Sequence, residues 1–185
     1  MSKTEKKQDE NKPVEKVTND ENQQKNKETL PPFQILKQFV GDLSLEVKDA
    51  PNVFRNIRNL NPQLDVDVES QSLSGRDVLV TVFIQINGSA QMEGENGEMK
   101  DITAYIAELK QSVVVRINDV PKEAVASLVM VEIPTLIYPM ARANMQFMVR
   151  ESGFVTPQLP LINFLNLARN KAEQAKAESE GQGKA

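Results

Sequence analysis

The sequence predicts an α+β fold in which a four-stranded antiparallel sheet carries helices packed on one face. The first observation is that apolar and polar residues alternate in four segments of the first half, as in half-buried strands. The second is that the apolar spacing becomes helical after Pro121. Strands that follow one another without intervening helices pair antiparallel, and later helices cover one face of their sheet.

Glycine-containing turns separate the later strands. In the second strand, Val66 and Val68 alternate with acidic residues, so one face of this strand is apolar and the other is charged. Turn chemistry at Gly75 and Gly97 marks the points where the chain reverses before the third and fourth strands. The four strands are predicted around residues 43–47, 64–69, 78–86 and 102–117.

Three helices are predicted after the strands. Pro121 suits a first helical position and leads into a helix over 122–131. The longest helix is predicted over 135–152 and ends at Gly153, since glycine is the usual residue just beyond a helix. A third helix starts near Leu161 and fades into the alanine-rich C-terminal tail, where glycines should end it.

The chain divides into three parts by composition. Residues 1–29 hold seven Lys and seven acidic residues with almost no apolar ones, so this polar N-terminal extension is expected to be disordered. Residues 30–168 hold all the aromatic residues and have the size and apolar content of one globular domain. Residues 169–185 are expected to form a flexible C-terminal tail.

The composition argues against most kinds of catalysis. The chain has no His and no Cys, which excludes Ser–His and Cys–His pairs, disulfides and the usual zinc and iron–sulfur sites. Its net charge of −4 argues against a nucleic-acid partner. No apolar run approaches the roughly 18 residues of a membrane span. We therefore predict no catalytic residue, no metal and no cofactor.

One acidic cluster has a spacing that could suggest a metal site. Asp65, Asp67 and Glu69 place three carboxylates on one face of the second strand. A calcium loop needs a glycine at its sixth position and polar residues between the ligands, whereas Ser70 stands there and valines intervene. A solvated strand face is the favoured interpretation.

Several short segments carry a family resemblance. In chain order they are Phe33-Gln34-Ile35, Asp42-Leu43-Ser44-Leu45-Glu46, Ala50-Pro51-Asn52-Val53-Phe54, Pro134-Thr135-Leu136-Ile137-Tyr138-Pro139-Met140-Ala141-Arg142, Pro157-Gln158-Leu159 and Asn163-Phe164. In this order and spacing the chain resembles SecB, the family of bacterial protein-export chaperones, over about residues 33–167.

The resemblance implies a function that needs no active site. It implies a homotetramer, built as a dimer of dimers, that acts as a holdase without ATPase activity and not as an enzyme. Such a chaperone captures unfolded precursor proteins in the cytoplasm and passes them to the SecA motor, without entering the membrane or binding nucleic acid. This agrees with the absence of a nucleophile, a metal cluster or a nucleotide-binding loop in the sequence.

The resemblance also assigns residues to two sites. Asp42, Glu46 and Glu108 fall where the family presents acidic groups to the basic tail of SecA, and Ile106 falls at an apolar position beside them. A carboxylate surface of this kind steers a basic partner and is sensitive to salt. The client groove is assigned to Phe54, Leu60, Met140 and Phe164.

Three alternatives stay open at this stage. A chaperone of the same fold could serve a toxin–antitoxin pair instead of export. A non-catalytic scaffold or ligand-binding module would share the composition. An enzyme that uses carboxylates alone is the least favoured, because no paired polar cluster lies in an evident pocket.

Overall fold

The computed structural model describes residues 31–94 and 96–182, with the side chains of 178–182 left out of account. The predicted disorder of residues 1–29 therefore lies outside the described residues. The α+β prediction is confirmed: four long antiparallel strands are followed by helices. The strands are β1 (Phe33–Val47), β2 (Ile57–Ser72), β3 (Asp77–Glu93) and β4 (Met99–Ile117). The helices are α1 (Val53–Asn56), α2 (Lys122–Ser127), α3 (Ile133–Glu151) and α4 (Phe164–Gln182).

The sheet has the order β1-β4-β3-β2, so β1 and β2 are the edge strands. All three pairings are antiparallel, and β1 and β2 therefore run in opposite directions. The connection between them, residues 48–56, crosses one end of the sheet and contains α1. This crossover explains why the first two strands of the chain are far apart in the sheet.

The two faces of the sheet differ in character because the side chains alternate. On the inner face Val82, Ile84, Ile86 and Leu109 are fully buried against the helices. The outer face carries polar side chains, among them Glu108. Gln111 is the notable polar residue of the inner face, and its amide is satisfied by hydrogen bonds to the Phe39 carbonyl and to Asn144.

The first two predicted helices are in fact one, and their predicted separation was wrong. A π-helical segment, Leu128–Glu132, joins α2 to α3 without a break. The Ile133 N–H bonds to the Leu128 carbonyl, five residues earlier. Pro134 has no N–H to donate and its ring crowds the preceding turn, and a π turn relieves such crowding.

The last helix begins later and ends later than the sequence predicts. It starts at Phe164 because Asn163 caps it, with its Oδ1 accepting a bond of 3.0 Å from the Asn166 N–H. It continues to Gln182, past the glycine at 181 that was expected to end it. Lys171 anchors it to β2 by bonds to Asp67 (2.8 Å) and to the Val68 carbonyl (2.9 Å). The flexibility of residues 169–185 stays a prediction.

One helix of the described residues, 122–151, is long and apolar enough to cross a membrane by length and composition alone, although Glu132 and Arg142 interrupt its apolar sequence. Core helices of soluble proteins meet the same criterion. Here Ile133, Ile137, Ala141, Met145 and Val149 recur on one side of the helix and are buried in the core. The spacing is that of a helix packed on a sheet.

Candidate functional site

The four residues predicted to bind a motor lie together on the outer face of β1 and β4. In the sheet register Glu46 pairs with Ile106, and Ser44 pairs with Glu108. Paired residues of antiparallel strands project from the same face, so the acidic side chains of both strands point to the same side. Asp42 precedes Ser44 by two residues and shares this face. We call Asp42, Glu46, Ile106 and Glu108 the acidic surface.

Two neighbouring contacts orient the acidic surface. Gln85 of β3 donates a hydrogen bond of 2.9 Å to Glu108 Oε1. This bond orients the half-buried carboxylate of Glu108. Lys48 forms an ion pair with Glu46, and both side chains are exposed. An exposed pair of this kind contributes little to stability, so an incoming cation can replace Lys48 at small cost.

A cluster of three aromatic rings lies where the crossover meets the end of α3. Phe54 of α1 packs on Phe154 with ring centroids 5.0 Å apart, and Phe154 packs on Tyr105 of β4 at 4.7 Å. Phe54 is 44% exposed, whereas its neighbour Val53 is fully buried and anchors the crossover to the core. We call Phe54, Phe154 and Tyr105 the aromatic cluster. It presents an exposed apolar ring over a buried floor.

Phe164 belongs to a second aromatic contact farther along α3. Its ring meets that of Tyr138 edge-on, with centroids 5.6 Å apart. Tyr138 donates a hydrogen bond of 2.8 Å to the Pro160 carbonyl, and burial raises the pKa of this tyrosine. A cleft of about 370 Å³ opens here, lined by Val131, Thr135, Leu161, Ile162, Asn163, Phe164 and Leu165.

The two aromatic contacts are joined by residues 154–163, which have no regular secondary structure and run back along α3. Gln146 holds this segment through the Pro157 carbonyl at 3.1 Å, and Tyr138 holds it through Pro160. Val155 and Leu161 are more than four-fifths exposed on it. The segment therefore forms an apolar rim between Phe54 and Phe164.

The predicted client residues do not form a single cluster. Phe54 and Phe164 stand at the two ends of the rim, and Leu60 lies half-buried on β2 against the core. Met140 is 52% exposed on α3 and receives a contact of 3.0 Å from the Gln38 amide of β1. The structure thus places Met140 beside the β1 edge of the sheet and not with the aromatic rings.

Sequence reasoning missed two members of the aromatic cluster, Tyr105 and Phe154. Tyr105 was hidden within a predicted strand, and the room for its ring comes from Gly88 of the neighbouring strand. Phe154 directly follows Gly153, the glycine that ends the long helix. A large apolar residue at this position was the sequence feature that could have indicated a packing contact. The pairing of the two rings depends on tertiary packing that the local pattern does not contain.

Exposed apolar side chains line edge strand β1 and the outer side of α3, and these two elements are in contact through Gln38 and Met140. A monomer that left this surface in water would be unusual, since contiguous apolar patches mark interaction sites. The hydrogen-bonding groups of the free edge of β1 lie beside it. The large apolar residues exposed in this region are Ile35, Leu36, Phe39, Val40, Leu43, Leu136, Met140 and Phe147.

Among the described side chains, those of residues 31–94 and 96–177, no group of three or more His, Cys, Asp or Glu is arranged to hold a metal ion. The acidic residues 65–69 that resembled a metal site lie along β2, where both carboxylate oxygens of Asp67 accept hydrogen bonds of 2.8 Å from Lys171. The acidic residues of this strand thus serve, in part, to attach α4.

Comparison with known proteins gives a consistent result. Residues 24–175 match the sequence profile of a family described as preprotein translocase subunit SecB. A protein-export protein SecB of Granulibacter bethesdensis is 35% identical over 153 residues, covering 82% of this chain and 88% of that protein. One of Neisseria meningitidis is 30% identical over 146 residues, covering 79% and 94%.

A solved structure shares the fold. It is a SecB-like chaperone of Mycobacterium tuberculosis in complex with a peptide from an antitoxin, and it superposes with a TM-score of 0.52. The match covers 71% of this chain and 91% of the other at 11% identity. At that identity the likeness concerns the arrangement of strands and helices.

Proposed function

The chain belongs to the SecB family, and from this we propose that it is an ATP-independent holdase which delivers unfolded precursor proteins to SecA in the cytoplasm. The observation that carries the proposal is the aromatic cluster, where half-exposed Phe54 adjoins the apolar rim of residues 154–163. A chaperone of this kind needs exposed apolar surface and no catalytic group, so we propose that the protein is not an enzyme and uses no cofactor.

Extended segments of an unfolded chain are the ligand that this surface suits. Aromatic rings and aliphatic side chains bind apolar residues of any sequence, and main-chain hydrogen bonds add affinity without specificity. The rim is long enough to contact several residues of a client, since it runs between Phe54 and Phe164. One precursor can then occupy several such surfaces of an oligomer, which increases the overall affinity through effective concentration.

We further propose that the acidic surface binds SecA. It lies on the outer face of the sheet, whereas the aromatic cluster lies on the inner, helix-covered side. Because the two surfaces face opposite directions, a client and the motor can be bound at the same time. That arrangement suits a protein that hands its client over, and the helix 122–151, packed in the core, has no need of a membrane.

The exposed apolar surface of β1 and α3 supports the proposal of a homotetramer. It is distinct from the aromatic cluster, and Met140 belongs to it by position. An isologous contact through β1 would pair the free edge with its copy and cover these residues. We expect the second contact of a dimer of dimers to use the outer side of α3, where Leu136 and Phe147 are exposed.

The holdase proposal predicts slower refolding of a client without ATP. A slowly folding precursor diluted from urea should refold about tenfold more slowly when the chaperone is present at about ten times its Kd, because bound chains are withheld from folding. Fluorescence of the precursor measures the rate. Phe54→Ser should reduce the effect, whereas Leu73→Ser, at an exposed apolar residue away from the cluster, should not. An unchanged refolding rate with excess chaperone would contradict the holdase proposal and favour the non-catalytic scaffold.

The tetramer proposal predicts that one charge on β1 is enough to disrupt assembly. Leu43→Asp should shift the sedimenting species from four chains to smaller ones at micromolar concentration, because an unpaired carboxylate in an interface is costly. Leu73→Asp is the matched control, since Leu73 is 45% exposed and Leu43 is 48% exposed. A monomeric wild-type protein, or equal behaviour of the two variants, would contradict the assigned interface.

A second candidate function is service to a toxin–antitoxin pair, which the structural neighbour favours because it was solved with an antitoxin peptide. Binding to purified SecA separates the two candidates. An export chaperone binds the motor through the acidic surface, whereas a dedicated antitoxin chaperone has no need to do so.

A further inference from the structure

Tyr105 has an unusual hydroxyl group. Its side chain is fully buried, and among the described residues its oxygen is the buried side-chain N or O atom that has no hydrogen-bond partner in the protein. The other buried polar groups of the core are paired, as Gln111 is with Asn144 and Phe39. Native proteins rarely leave a buried hydroxyl unpaired, and such a group calls for an explanation.

The surroundings of Tyr105 hold its ring against the sheet. A Cβ on Gly88 of the neighbouring strand would lie 2.3–2.8 Å from three ring atoms, so the ring rests directly on the glycine backbone. Phe154 covers the ring from the helix side at 4.7 Å, and Phe54 covers Phe154 at 5.0 Å. The ring that carries the hydroxyl is therefore covered by Phe154, and Phe154 is covered in turn by Phe54.

Both covers are carried by segments outside the sheet. Phe154 follows Gly153, whose φ of +91° is a conformation that glycine adopts readily, and it begins the irregular segment 154–163. Phe54 belongs to the single turn of α1 and is half-exposed. Neither phenyl ring can form a conventional hydrogen bond, so displacing them breaks only apolar contacts that an apolar client side chain can replace.

We propose that the Tyr105 hydroxyl is a hydrogen-bonding subsite for the main chain of a bound client, reached when client side chains displace the rings of Phe54 and Phe154. This inference rests on the proposed holdase function. A hydroxyl both donates and accepts, so it can bond to the C=O or to the N–H of an extended peptide whatever its sequence. Binding then pairs a group that is unpaired in the free protein, which favours the client-bound state.

Burial supports the donor role of this tyrosine. It raises the pKa of Tyr105, so the phenol keeps its proton at neutral pH. The ring also has little freedom to seek another partner, because Gly88 and Phe154 hold it on both sides. When Phe154 is displaced, the ring still rests on the Gly88 backbone, so its protonated hydroxyl can bond to the client at low entropic cost.

The variant Tyr105→Phe tests the subsite in the full chain. A fluorescently labelled peptide rich in Leu, Val and Phe should bind about fivefold more weakly to the variant, since one hydrogen bond is lost. The variant should unfold at a temperature equal to or about 2–4 °C above that of the wild type, because no intramolecular bond is removed. Tyr138→Phe, which loses the bond to Pro160, should instead unfold at a lower temperature. Unchanged peptide affinity of Tyr105→Phe would overturn the subsite.

A second measurement uses the wild-type protein. The chain has two tyrosines, so protein labelled with ¹³C at tyrosine Cζ gives two signals, which Tyr138→Phe assigns. The proposal expects the Tyr105 signal to shift on peptide binding while the Tyr138 signal moves less. A stationary Tyr105 signal in a saturated complex would overturn it. If the wild-type protein binds no peptide, the proposed holdase function is wrong. That result differs from a peptide complex in which the Tyr105 signal does not shift, which contradicts the subsite alone.

Discussion

Replacing Gly88 with alanine is expected to lower the free energy of unfolding by about 3 kcal/mol, the upper end of the cost of overpacking a core. The added Cβ would lie 2.3 Å from Tyr105 Cε1 and 2.5 Å from Cδ1, distances far inside van der Waals contact. The ring cannot easily retreat, since Phe154 packs on it at 4.7 Å. Urea unfolding at fixed protein concentration measures the change.

Two comparisons show whether the ring is the cause. Gly94→Ala should cost less than about 0.5 kcal/mol, because its Cβ meets only the flexible carboxylate end of Glu98. In the Tyr105→Ala background, Gly88→Ala should cost less than about 1 kcal/mol, since the obstructing ring is gone. If Gly88→Ala lowers the free energy of unfolding equally in both backgrounds, the contact with Tyr105 is not the reason that glycine is required at position 88.

The strands show how far the alternating pattern extends. Alternation in 64–69 predicted the core of β2, with Val66 and Val68 facing the helices as found. It did not predict that β2 begins at Ile57, because Asn59 adopts a left-handed φ of +48° and Pro62 interrupts the pattern. Pairing with β3, as between Arg58 and Gln91, extends the strand through these irregular positions. Tertiary pairing there outweighs local propensity.

The helices show a different limit. A proline in the middle of a helix usually breaks or kinks it, and Pro134 lies between the two helices that the sequence predicts. The continuous helix depends on the π turn before it, whose formation is favoured by burial of Leu128, Val129 and Ile133 in the core. Local sequence reports the missing N–H of proline, but it does not report how much burial compensates for it.

The candidate sites were predictable to different degrees. The acidic surface follows from alternation within β1 and β4 once the register is known, and resemblance supplied its residues. The aromatic cluster joins Tyr105 to Phe154 and Phe54, which are distant in sequence and meet only because the crossover and the end of α3 converge. The unpaired state of the Tyr105 hydroxyl is a property of that packing, so no sequence pattern could indicate it.

Reversing two charges of the acidic surface is expected to abolish binding to SecA. The double variant Asp42→Lys, Glu108→Lys should bind the motor at least about 100-fold more weakly, because like charges placed opposite each other cost several kcal/mol. Asp42 is exposed and Glu108 is half-buried on the outer face, so the fold should persist. Titration of labelled SecA measures the affinity, and wild-type binding should weaken as salt is raised.

The matched control separates a specific surface from overall charge. Asp65→Lys with Glu69→Lys alters two exposed carboxylates on the outer face of β2, at the far edge of the sheet. Each double reversal adds four charges and takes the chain from −4 to 0, so long-range attraction changes equally. The control should retain most of the affinity for SecA, and both variants should still slow client refolding, because the aromatic cluster lies on the opposite face. Equal loss of affinity in both variants would show that SecA responds to the overall charge of the chaperone and not to the acidic surface.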